Sequence, residues 1–86
     1  MKTIIKNDTV VDALKREITI CDSAIKRYKE TLQKFEEKYG FTSRQFSDRF
    51  NSGTLGDEQD FFEWDAIFDY YNDWTNRKQT LQESLL

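Results

Sequence analysis

From Val11 onward the apolar residues fall at positions 11, 14, 18, 21, 25, 28, 32, 35 and 39, alternating steps of three and four: Val, Leu, Ile, Cys, Ile, Tyr, Leu, Phe and Tyr. Four repeats of an a/d heptad with no Pro or Gly inside predict one long helix over residues 9–39, about 45 Å at about 1.5 Å per residue. Asp8 or Thr9 is suited to cap its start. Acid-first pairs at i, i+4 (Asp12 with Arg16, Asp22 with Lys26, Glu30 with Lys34) are expected to support its outer face. Gly40 is expected to end the helix in the left-handed conformation that a residue without a side chain adopts cheaply.

Thr42 and, three residues on, Gln45 match a capping box, which predicts a short helix over 43–50 with Phe46 and Phe50 on its inner side. Residues 51–57 hold two of the three glycines and read as the one loop. A last helix is expected over 58–84, with Trp64, Ile67, Tyr71, Trp74, Lys78, Leu81 and Leu85 as its inner stripe. The fold class that follows is all-α: a single domain in which two long helices lie antiparallel as a hairpin, with a short helix at the bend. Val10, Ala13, Ile20 and Ala24 widen the apolar face of the first helix beyond the heptad stripe. A helix apolar on more than one seam needs more than one neighbour, so a homodimer forming a four-helix bundle is expected, with Val10, Ile20 and Ala24 in its seam.

Length supports that expectation, because 86 residues make one small domain near the size at which burial only just outweighs chain entropy. The sequence has one Cys and no His, which leaves no internal disulfide and none of the usual zinc or iron–sulfur ligand sets. Cys21 sits at a d position between Ile18 and Ile25 and reads as a small hydrophobe. Without His, a Ser or Cys nucleophile has no ordinary activating base, and neither a nucleophile elbow nor a phosphate-cradling Gly loop appears, so no enzymatic activity is expected. Nothing approaches the roughly 20 apolar residues of a membrane span. Lys6, Asn7 and Asp8 interrupt Met1 to Ile5 before an export signal can develop, so a cytoplasmic protein is expected.

Charge is split along the chain. Residues 1–56 carry 11 basic and 8 acidic side chains, whereas residues 57–86 carry 2 basic and 8 acidic, a net −6 that repels phosphates and sets aside nucleic-acid binding through that half. The basic residues of the first half circle the helix among Asp and Glu, the pattern of a solvated face. Residues 57–74 alone hold seven carboxylates and seven aromatic rings with no Lys or Arg. On a helix Glu58, Asp65, Asp69 and Asp73 form a row on the side away from the inner stripe, with Phe62 among them. Carboxylates in the first turn (Asp57, Glu58, Asp60) suit the helix dipole. Asp65, Asp69 and Asp73 lie beyond its reach, and like charges at i, i+4 cost about 0.2–0.5 kcal/mol per pair. Carboxylates of this kind bind hard cations in some proteins, but the alternating ligands and central Gly of a calcium loop are missing, and no metal or other cofactor is expected. The row reads as a surface for a basic protein partner.

The string Phe35, Tyr39-Gly40-Phe41-Thr42-Ser43, Phe46, Arg49-Phe50, Gly53, Leu55-Gly56-Asp57, Asp60-Phe61, Glu63-Trp64 resembles a pattern in short helical proteins of bacteria and archaea. These are antitoxin-like proteins, paired with ribonuclease-type toxins, that carry a YG-x-[ST]-S-x-x-F … F-x-x-G-x-LGD … F-x-EW core after a long first helix. The resemblance covers about a third of the chain; Phe41 departs from it, standing where a more flexible residue such as Met is expected. It implies an antitoxin that neutralises a basic, RNA-cleaving toxin. That fits the partner surface of Glu58, Phe62, Asp65, Asp69 and Asp73 read separately from helix geometry, since an acidic helix with an exposed ring can occupy a groove that otherwise takes phosphate. The alternative from the periodicity alone is a homo-oligomeric coiled-coil adaptor or scaffold with no enzyme to inhibit.

Overall fold

The computed structural model describes residues 8–86; the amino-terminal stretch read above for an export signal lies largely outside the described residues. Three helices follow one another: α1 over Asp8–Tyr39, α2 over Ser43–Asn51 and α3 over Gln59–Ser84. Among the described residues no helix is long and apolar enough to cross a membrane. All nine heptad positions of α1 are buried or half-buried, and so is every residue of the stripe read for α3. α1 packs along α3 in antiparallel register, marked by Lys38 beside Asp60, Tyr28 beside Tyr70 and Asp22 beside Lys78. That register brings Leu81 and Leu85 level with Ile18 and Leu14.

The bend is built from local signals. Gly40 adopts φ +81° and its N–H donates to the Glu36 carbonyl at 2.8 Å, closing α1. Thr42 then caps α2 with both halves of the capping box: its Oγ1 accepts from Gln45 N–H, and Gln45 Oε1 accepts from Thr42 N–H. A third link is tertiary, the Glu36 carboxylate accepting from Ser43 N–H at 2.8 Å and tying the end of α1 to the start of α2. An added Cβ at Gly40 meets nothing within 4 Å, so its conformation alone makes the position demanding. Gly40→Val is therefore expected to lose about 1–2 kcal/mol, the cost of a side chain in the left-handed region. Coincident thermal melts of the two proteins would contradict this.

Core residues concentrate at the bend. Leu32, Phe46, Phe61 and Trp64 form the buried cluster, with Phe35, Tyr39, Phe41 and Phe50 packed around it. The Trp64 indole is fully buried, 4.1 Å from Phe46 at an interplanar angle of 6°, with the Phe35, Tyr39 and Phe41 rings 5.4–5.7 Å away. Its Nε1–H donates to the buried Ser43 hydroxyl at 2.8 Å. Among the described residues of the open half, only the small Cys21 and Ala24 are buried. The molecule is correspondingly drawn out, 59 × 22 × 17 Å with a radius of gyration of 17.4 Å, where a compact chain of this length has about 12 Å.

Four expectations need correction. The pairs Asp12–Arg16, Asp22–Lys26 and Glu30–Lys34 do not form among the described residues; Asp22 instead meets Lys78 at 2.6 Å across the hairpin. Lys78 lies on the inner stripe with a side chain only 33% exposed, so its ammonium is short of water and takes the nearest carboxylate. Ala24 is 4% exposed and covered within the hairpin, so it leaves the proposed dimer seam, while Val10 and Ile20 stay 45% and 51% exposed. α2 runs one residue past 50, and Glu58 stands outside α3 as its N-cap with an extended backbone and no side-chain capping bond.

Candidate functional site

Around α3 the buried side centres on Trp64, Tyr71 and Lys78, and the turn of 100° per residue places Phe62, Asp65, Asp69 and Asp73 on the opposite side, with the N-cap Glu58 preceding them. From Phe62 to Asp73 the row runs along the outer edge of the hairpin for about 17 Å at about 1.5 Å per residue. Glu58, Asp69 and Asp73 are exposed and Asp65 is half-buried. Among the described residues none of these four carboxylates has an ion pair or accepts a side-chain hydrogen bond. The three interhelical ion pairs draw on Asp60, Glu17 and Asp22 instead.

Asp65 shows what the crowding does. Its carboxyl is pushed above the ordinary aspartate range, first by partial burial and second by the neighbouring charge of Asp69. A cation docking against the pair relieves the repulsion. Phe62, 55% exposed, stands in the row with its ring edge-on to Phe50, centroids 5.6 Å apart at 86°. α2 therefore holds this ring from behind, a support the sequence reading did not foresee, since it depends on where the short helix lands.

Asp60 belongs to the same acidic segment but has a different task. Its carboxylate accepts from Lys38 Nζ and from the Tyr39 hydroxyl, each at 2.6 Å, clamping the start of α3 to the end of α1. These hydrogen bonds, Lys38 first and Tyr39 second, hold the Asp60 carboxyl below its usual range. Asp60 in turn raises Lys38 and Tyr39. A carboxylate lowered on folding stabilises the protein above its unfolded pKa, and that contribution disappears as pH falls through the lower folded value. Asp60→Asn is therefore expected to be less stable than the parent at neutral pH, with the gap closing below about pH 4. Urea unfolding at both pH values tests this; a gap that persists in acid would contradict it.

The ridge itself offers carboxylates and one ring, with no nucleophile beside a base. Among the described residues no group of three or more His, Cys, Asp or Glu side chains converges as a metal site. A cleft of about 250 Å³ lies on the face of the hairpin that α2 covers, bordered by Lys29, Leu32, Arg44, Phe68 and Tyr71. Comparison with protein families, with curated proteins and with solved structures gives no match to this chain.

Proposed function

We propose that this chain is an antitoxin-type binding protein that neutralises a basic, RNA-cleaving protein through the outer edge of α3. The observation that carries the reading is the combination of three unpaired carboxylates, Asp65, Asp69 and Asp73, in line with the half-exposed ring of Phe62. A fold this thin gains nothing from four like charges in a row, whereas a groove built to hold phosphates finds in them a negative strip at regular spacing and a ring to fill a pocket. Two other carboxylates of the acidic segment have contacts of their own: Asp60 is engaged by α1, and Glu63 accepts from Gln59 at 3.2 Å. Resemblance of residues 35–64 to antitoxin-like proteins supports the class of partner.

Co-purification from the chain's own operon tests the proposal. The expected result is a stoichiometric complex with a basic partner whose ribonuclease activity is suppressed within it. Recovery of the chain alone as an oligomer, with no neighbouring basic protein retained, would favour the adaptor reading instead.

A further inference from the structure

The open half of the hairpin has one uncovered side. Tyr28 meets Tyr70 with ring centroids 5.8 Å apart, and Glu17 meets Arg77 at 3.8 Å, so these residues lie on the same face of the α1–α3 layer. Helical turn places Ile20 on that flank of α1 and Trp74 and Leu81 on that flank of α3. α2 sits on the other face, where Phe46 packs on Phe61 and Arg44 borders the cleft with Lys29 and Phe68. The uncovered face thus shows Ile20 and Tyr70, each 51% exposed, between the half-buried Tyr28, Trp74 and Leu81.

We propose that a second copy of this chain covers this face, with α3 of each copy lying over α1 of the other. Area permits it. From Tyr70 to the end of α3 the face measures roughly 25 Å by 20 Å, on the order of 500 Å² per copy and about 1,000 Å² in all, the lower bound of a specific interface. Charge selects the occupant and the pairing. Within the face Glu17 and Arg77 neutralise each other, with the Arg77 guanidinium also 5.3 Å above the Trp74 ring, so a basic partner finds no field there to steer it. α1 carries seven acidic and seven basic side chains, and α3 six acidic and two basic. Stacking α3 on α3 would oppose two helices of charge −4; stacking each on the neutral α1 of the other copy avoids that. The acidic ridges then point outward on opposite sides of the dimer. This inference is independent of what those ridges bind, and it replaces the seam through Ala24 with one through Ile20 and Tyr70.

Sedimentation equilibrium of the full chain at tens of micromolar tests it. The expected mass is twice 10.3 kDa. The variant Ile20→Glu/Tyr70→Glu should self-associate at least tenfold more weakly while keeping its helical circular dichroism, and Asp69→Lys, on the side of α3 away from this face, should dimerise like the parent. A melting temperature of the parent that rises with its concentration supports the dimer without any substitution. A parent that stays at 10.3 kDa, with a melting temperature independent of concentration, overturns the proposal. So does a folded Ile20→Glu/Tyr70→Glu variant that dimerises undiminished, or one whose only loss is binding of the basic partner.

Discussion

Exchanging Asp69 and Asp73 for lysine is expected to abolish capture of the basic partner while leaving the free protein as stable as before or slightly more so. The two effects have opposite signs because they come from different neighbours. Inside the free chain, Asp65, Asp69 and Asp73 have only one another, and reversing two of them turns repulsion at i, i+4 into attraction worth a few tenths of a kcal/mol. Against a basic groove the same change places like charges together, a penalty of about 2–5 kcal/mol for groups desolvated on docking, and removes the long-range steering that speeds encounter. Phe62→Ala should behave differently again. Its ring rests on Phe50, so truncation costs the free protein roughly 0.5–1.5 kcal/mol and weakens binding by about 1–3 kcal/mol where the ring fills a pocket. Titration calorimetry of each variant with the co-purified partner, alongside urea unfolding, separates these terms. Binding that tracks stability across the set would place the ridge in a buried contact and contradict the reading.

The largest effect on folding is expected at Trp64. Trp64→Ala removes the α3 side chain that meets aromatic rings of both other helices: Phe35 and Tyr39 from α1, Phe46 from α2, and Phe41 between them. A loss of about 3–5 kcal/mol follows from the cavity and the forfeited contacts, in a domain whose whole stability is of the order of 5–15 kcal/mol. Ser43→Ala leaves the indole in place but strands its buried N–H, for about 1–3 kcal/mol. If chemical denaturation finds Trp64→Ala no worse than a half-exposed substitution in the open half, the bend is not the structural centre of the molecule.

These contrasts show which parts of the fold were readable from the sequence. Features set by neighbours in the chain were plain: the nine heptad positions of α1, the left-handed Gly40, and the reciprocal Thr42–Gln45 cap all follow from spacing and backbone preference. Features set by the meeting of distant elements were not. Phe61 precedes Trp64 by three residues and shares its side of α3, yet only the arrival of α2 decides that it is buried. The same holds for Asp60, which local reasoning assigns to the helix dipole and the fold assigns to Lys38 and Tyr39 twenty-odd residues earlier. Ala24 looked like part of a second seam because its position on the helix wheel says nothing about which neighbour covers it.

The string of Gly, Thr, Ser and aromatic residues over 35–64 gains a physical meaning from the same comparison. Gly40, Thr42 and Ser43 form the turn and its caps, Arg49 lies over the Phe41 ring at 4.7 Å, Gly53 takes φ +76°, Asp60 clamps α1, and Phe35, Phe46, Phe61 and Trp64 are the core. The string therefore encodes the bend. None of its residues belongs to the proposed partner surface, since Glu58, Phe62, Asp65, Asp69 and Asp73 all fall between or beyond its positions. Such a division leaves the outer edge of α3 able to change with the partner while the scaffold stays the same.

The outer edge can be examined directly by labelling carboxylates with a carbodiimide and an amine, comparing the free chain with its complex by mass spectrometry. Glu58, Asp65, Asp69 and Asp73 should label readily in the free protein and be protected together in the complex, whereas Asp12 and Glu30, on the outer side of α1, should label equally in both. Protection confined to α1, including Glu17 on the Ile20 and Tyr70 face, with the four ridge carboxylates still reactive, would contradict the assignment of the ridge as the binding surface.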